Sequence, residues 1–237
     1  MQRYFTNQKE NDYLNITRED LHHIKNVMRN KIGDKIECIY QEELYICQIE
    51  SLQETKVKII SKLDHTNELN TNITIAIGLV KEQKMDLILQ KLTELGVKEI
   101  IPLIMERSII KLDNEKMKKK KTRWEKICKE ASEQSKRNKI PKIKEMASIK
   151  ELPIEKYDLK IICSTTETTN LISKYKKESI LNKNILIVIG PEGGITEEEE
   201  NTLVNLGMTK VSLGTRIMRV ETAAIYIASI MNFYSLE

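Results

Sequence analysis

From Ile73 onward, short continuous apolar runs alternate with longer segments whose apolar positions recur every three or four residues. ITIAIGLV (73–80), EIIPLIM (99–105), DLKIICS (158–164), ILIVIG (185–190) and KVSLG (210–214) have the character of strands buried on both faces. Between them, MDLILQKLTELG puts Ile88, Leu92 and Leu95 on one helical face and ends at Gly96. KTRWEKICKEASEQSKRN carries a stripe of Trp124, Ile127, Cys128 and Ala131, and VETAAIYIASIMNFY closes the chain as an apolar helix. Strands alternating with helices predict an α/β domain with a parallel sheet covered on both faces.

The first 70 residues follow a different pattern. After a short helical segment, LHHIKNVMR, the runs IGDKIECIY, LYICQIESL and KVKIISKL alternate apolar and polar positions, as in a β-meander or small barrel. The polar stretch DHTNELNTN (64–72) is the predicted linker, so the expected organisation is a small β domain over 1–70 and an α/β domain over 71–237.

Composition alters this picture little. Hydrophobic residues make up 40% and charged residues 31%, ordinary for a soluble globular chain. No apolar run approaches the roughly 20 residues that span a bilayer, and MQRYFTNQKE contains no apolar signal core. The four cysteines, Cys38, Cys47, Cys128 and Cys163, form no CxxC pair, which points to reduced thiols in a cytoplasmic protein. The three histidines have no metal-ligand spacing, so no metal is expected. The net charge of +4 decides less than its distribution: residues 111–144 are strongly basic and the 190s acidic. The run KMKKKKTR (116–123) suits non-specific attraction of RNA or a solvated helix end equally.

The candidate chemistry begins at VIGPEGGITEEE (188–199), a strand followed by glycines and a helix start. Phosphate is the usual occupant of such a loop, but the Lys and Ser or Thr of a phosphate loop are missing and GPEGG is not GxGxxG. Thr196 with Glu199 forms a capping box, and the glutamates after Thr196 already complement the helix dipole that an anion would use. A neutral or positively charged ligand fits better. LGTRIMRVETA (213–223) repeats the order of strand, glycine and helix start, and two such loops at strand ends form one cleft, or else two tight turns with no ligand.

Together, GPEGGITEEE (190–199) and LGTRIMRVETA resemble the signature of the RsmE-type 16S ribosomal RNA (uracil-N3) methyltransferases of the SPOUT superfamily. LHHIKNVMRNKIGDKI (21–36) is similar to that family's N-terminal domain, and KMDLILQKLTELGVKEIIPLIMERS (84–108) and RWEKICKEASEQSKRNKIP (123–141) to its middle blocks. Met218 and Val220 are departures, standing where leucine and threonine are common. The resemblance implies a PUA-like RNA-binding β-barrel followed by a knotted (trefoil) α/β domain that binds S-adenosyl-L-methionine. It further implies a homodimer and methylation of N3 of a specific uridine in 16S rRNA of the small ribosomal subunit. A non-catalytic rRNA-binding module and a related knotted methyltransferase acting on another RNA are the alternatives.

On this resemblance, Ile189, Gly190, Glu192 and Gly194, with Leu213, Gly214, Ile217 and Met218, are the candidates for the cofactor cleft, and Thr165 could line it too. Methylating a uracil nitrogen requires orientation, loss of the imide proton and stabilisation of charge on the carbonyl oxygens. Arg219 is the candidate for contact with the uracil or its phosphate. Glu221 is a candidate as the partner of Arg219, as the proton acceptor or as a capping carboxylate. Arg3, His22, His23 and Arg29 in the first domain, with Arg107 and Arg137, are the candidate RNA contacts.

Overall fold

The computed structural model describes residues 1–110 and 114–236; Lys111, the first residue of the basic segment, lies outside the described residues. The chain forms two compact units, Met1–Glu68 with Ser132–Lys139, and Leu69–Ala131 with the chain from Ile140 onward. The sequence predicts one boundary, at the polar stretch 64–72, and so keeps Ser132–Lys139 in the second domain; the structure instead places them with the first.

In the first unit, β1 (Arg3–Thr6), β2 (Gln8–Glu10) and β3 (Tyr13–Asn15) precede α1 (Arg18–His22), which runs on as one π-helical turn, His23–Val27. Then come β4 (Lys35–Tyr40), β5 (Glu43–Gln48) and β6 (Lys56–Leu63). Among the described residues they form a curled sheet in the order β1-β4-β5-β6-β3-β2, parallel at β1–β4 and antiparallel elsewhere. Thr17 starts α1 by accepting from the Asp20 amide at 3.0 Å, while the Asp20 carboxylate accepts from the Thr17 amide at 3.2 Å. Tyr4, Leu14, Ile24, Ile36, Cys38 and Val57 fill the core.

The second unit contains β7 (Asn72–Gly78), α2 (Glu82–Glu94), β8 (Glu99–Ile104), most of α3 (Asn114–Gln134), β9 (Lys142–Ile143) and β10 (Ala147–Ser148). It continues through β11 (Leu159–Cys163), β12 (Asn184–Ile189), α4 (Glu197–Asn205), β13 (Thr209–Val211) and α5 (Val220–Ser235). Among the described residues the sheet order is β10-β8-β7-β12-β11-β13, with β9 also on β8, and every pairing is parallel. Ile73, Ile75 and Ile77 of β7 and Ile185, Ile187 and Ile189 of β12 enter one core; Ala76, Leu186 and Val188 enter the core on the other face. Both parities of each strand are therefore apolar, which is why these strands appear as unbroken runs.

α5 buries Val220, Ala223, Ala224, Ile227, Ala228 and Met231, one helical stripe, against the first of those cores. Register sets the site: Cys163 lies beside both Ile189 and Val211, so β11, β12 and β13 end level and their outgoing loops meet. None of the described helices is long and apolar enough to cross a membrane.

Candidate functional site: a cleft at three strand ends

The loops after β11, β12 and β13 enclose a cavity of about 230 Å³. Thr165, Ile189, Gly190 and Gly194 line it from the first two loops, and Leu213, Gly214, Ile217 and Met218 from the third. Glu192, the other cofactor candidate, is not among the lining residues. Its carboxylate turns to Lys84 in the first turn of α2, Oε1 lying 3.2 Å from Nζ. Lys84 Nζ also sits 3.7 Å from Oε2 of Glu221. The partner of Glu221 is thus Lys84 and not Arg219. The Oε2 atoms of both glutamates are enclosed and accept no hydrogen bond among the described residues.

The glycines of the loop serve mainly to let the chain pack on itself. A Cβ on Gly190 would lie 2.6 Å from the Ile195 side chain, and one on Gly193 would lie 2.8 Å from Cβ of Arg107. Gly194 differs, because its φ of +76° is the left-handed conformation that favours glycine. At the start of α4, Thr196 accepts from the Glu199 amide at 3.2 Å and Glu199 Oε2 accepts from the Thr196 amide at 3.0 Å. Glu199 Oε1 accepts from the Glu106 amide at 2.8 Å, fastening the loop after β8 to the glycine loop.

The third wall, after β11, is held by carboxylates. Glu167 accepts from the Asn170 amide at 2.9 Å, the Thr169 amide at 2.7 Å and the Thr169 hydroxyl at 2.8 Å, which lowers its pKa to about 2. Burial pushes Glu200 up, but hydrogen bonds from Lys210, Ser164 and Thr166 outweigh it and hold the carboxyl below its usual range. Both folded pKa values are depressed, so their stabilising contribution is complete above the ordinary value of 4.5 and is lost as pH falls. Melting temperature should be insensitive to these two groups down to about pH 5 and should fall between there and pH 2. In Glu167→Gln this acid-side fall should be shallower, as thermal melts across that range would show.

The cleft therefore presents apolar side chains and two anchored carboxylates, Glu167 and Glu200, with Arg216 as its cationic lining residue. That lining, with an acid-capped helix start, suits a ligand with an apolar face and a positive centre, and opposes a polyphosphate. Ile217 is 85% exposed at the cleft, an apolar surface available to such a ligand.

Arg219 occupies the position just before α5, is exposed, and has no side-chain partner among the described residues. His22, Arg29 and Arg107 are exposed, while His23 is half-buried with Nδ1 3.0 Å from the Tyr4 hydroxyl. Arg107 also donates to the Gly193 carbonyl at 3.3 Å.

Arg3 and Arg137, expected on an RNA-facing surface, are instead buried in the first unit. Arg3 pairs with Glu37 at 2.9 Å and donates to the Lys136 and Arg137 carbonyls and to Asn138. Arg137 pairs with Glu68 at 2.7 Å. A buried guanidinium must have its donors filled, and here protein groups fill them. Among the described residues no cluster of three or more His, Cys, Asp or Glu could hold a metal ion.

The RNA methyltransferase domain family matches residues 67–232, and the RNA methyltransferase PUA domain family matches residues 16–60. The chain is 39% identical to ribosomal RNA small subunit methyltransferase E of Bacillus subtilis, over 98% of this chain and 96% of that protein. It is 35% identical to the protein of that name in Mesomycoplasma hyopneumoniae, over 96% and 97%. Its fold superposes with a TM-score of 0.86 on the Neisseria gonorrhoeae enzyme of that name bound to S-adenosyl methionine, at 27% identity and covering 98% of this chain and 97% of that one. The curled β unit and the parallel α/β unit with its strand-end cleft are those of a two-domain RNA methyltransferase. Within that class, the chain belongs to the ribosomal RNA small subunit methyltransferase E family.

Proposed function

We propose that the protein uses S-adenosyl-L-methionine to methylate N3 of a specific uridine in 16S rRNA of the small ribosomal subunit, uridine 1498 in the family's rRNA numbering. The observation that carries this reading is the cleft itself. Three level strand ends enclose a largely apolar space that could take the cofactor's adenosine and thioether arms, in a chain akin to an enzyme solved with that cofactor. Bound there, the cofactor supplies a methyl group on a positively charged sulfur that leaves as a neutral thioether.

The chain's own residues supply positioning and electrostatics. Thr165, Ile189, Gly190, Gly194, Leu213, Gly214, Ile217 and Met218 hold the cofactor, and Glu192 fixes the glycine loop through Lys84. Arg219, which has no side-chain partner among the described residues, orients the uracil and stabilises charge on its carbonyl oxygens as the imide proton leaves. Glu221, two residues on, is the carboxylate assigned to that proton; its Oε2 lies 3.7 Å from Lys84 Nζ and accepts no hydrogen bond among the described residues. His22, His23, Arg29 and Arg107 contact the rRNA directly, and Arg3 and Arg137 act by holding the first unit in shape. Tyr226 at 40% and Phe233 at 70% exposure leave an apolar strip on α5, which supports assembly as a homodimer.

Mass spectrometry of 16S rRNA from cells with and without the gene tests the reaction. Loss of one N3-methyluridine on deletion is expected. An unchanged modification profile overturns the assignment.

A further inference from the structure

We propose that Glu200 is a positioning residue for the methyl donor, fixing the third wall of the cleft through one buried carboxylate. The proposal rests on the reading of the cleft as the S-adenosylmethionine site.

Glu200 is 6% exposed, in the first turn of α4, and its side chain is also part of the cavity lining. Both of its oxygens bond the loop after β11, and one of them also bonds β13. Oε1 accepts from the Ser164 hydroxyl at 2.7 Å. Oε2 accepts from the Thr166 hydroxyl at 3.0 Å and from Lys210 Nζ of β13 at 2.8 Å. Ser164 then accepts from the amides of Thr166 at 3.2 Å and Glu167 at 3.3 Å, so the carboxylate orders the backbone of the loop through that hydroxyl. The loop is further tied down where Asn170 donates to the Lys210 carbonyl at 2.8 Å.

Ser164, Thr165 and Glu167 line the cavity, so whatever sets their backbone sets the shape of the site. An apolar residue at position 200 could pack between α4 and the sheet, as Leu203 one turn later does. It could not hold the loop. A buried carboxylate is costly to desolvate, and the three bonds it accepts here, from Ser164, Thr166 and Lys210, all go to the wall of the cleft and its neighbour strand.

The test uses the full-length protein, with calorimetric titration of S-adenosylmethionine and steady-state methylation of small subunits. Glu200→Leu should raise both the Kd and the KM for S-adenosylmethionine by about 10- to 100-fold, the factor charge-assisted hydrogen bonds supply. The KM for the subunit should stay within about twofold and kcat within about threefold, because the reacting groups are untouched. Glu200→Gln, which keeps the shape and one acceptor oxygen, should recover part of the lost affinity.

Should Glu200→Leu fail to fold, Ser164→Ala and Thr166→Val each remove a single bond and should each weaken cofactor affinity by about 3- to 10-fold. A Kd for S-adenosylmethionine within twofold of wild type in Glu200→Leu, or in both hydroxyl variants, overturns the proposal. So does a fall in kcat with unchanged KM for the cofactor. Failure of the wild-type protein to bind S-adenosylmethionine is a different result: it removes the functional reading and this inference with it.

Discussion

Gly78→Ala is expected to weaken binding of S-adenosylmethionine and to slow methylation on the order of 100-fold while leaving the protein folded. Gly78 ends β7, and a Cβ there would lie 2.6 Å from both Cδ and N of Pro191, with its Cα at 3.1 Å. Carbon atoms pack best at about 3.5–4.0 Å, so the glycine loop must withdraw by roughly 1 Å. The obstacle is a proline ring and its own backbone, neither of which has a rotamer to change. Overpacking of this kind costs about 1–3 kcal/mol, a stability loss that a two-core domain survives.

The effect on the site is larger. Pro191 lines the cavity, and the loop enters directly from Ile189, which is paired in register with Ile77. A displacement of about 1 Å at a site that works by orientation costs on the order of 100-fold in rate. Calorimetry and a thermal melt on the same sample separate the two effects. Adding Pro191→Gly removes the Cδ contact but leaves the backbone N at 2.6 Å, so it should restore little of the binding. Wild-type affinity in Gly78→Ala alone would show that the loop yields without consequence.

What was legible in the sequence follows from how many faces each element buries. β7, β8, β11 and β12 are packed on both sides, so each appears as a block of apolar residues, and α2 and α5 keep a clean helical stripe. β2 has the sequence QKE with every residue exposed, so no alternation marks it, and β1 and β3 are too short to show a period. The transfer of Ser132–Lys139 to the first unit depends on bonds such as that from Asn138 to the His65 carbonyl, across 73 positions of chain. No local pattern carries that.

Within the site, the loops after β12 and β13 were legible because glycines and helix-start residues mark them. The loop after β11 showed only Thr165, since its order comes from Glu200, one of four identical consecutive residues. Helical phase held the missing signal: Glu200 lies three residues before the buried Leu203 and so shares its inward face. Gly78 within an apolar strand was likewise a sign of close backbone approach. For Lys84 no signal existed, because a lysine in the first turn of an amphipathic helix is ordinarily a solvated one.

Arg219→Ala should slow methylation severely and spare the cofactor site. Arg219 is exposed, has no side-chain partner among the described residues and is not among the cavity-lining residues, so its removal leaves the cleft walls and the first turn of α5 intact. Its backbone carbonyl still accepts from the Ala223 amide at 2.8 Å, a bond that alanine keeps. Stability should therefore change by no more than about 0.5 kcal/mol, as for an unpartnered surface residue. Losing a donor aimed at developing charge costs about 10²–10³-fold in kcat. Affinity for S-adenosylmethionine should stay within about twofold, the mark of an interaction made with the acceptor base and not with the cofactor. Lys at this position should recover only a minor share of the rate, since a point charge cannot reproduce a planar fork against two carbonyl oxygens. Single-turnover methylation of small subunits, with calorimetry on the same preparations, measures both quantities. Turnover like wild type in Arg219→Ala would take this residue out of the mechanism, whereas lost cofactor binding would move it to the donor side of the cleft.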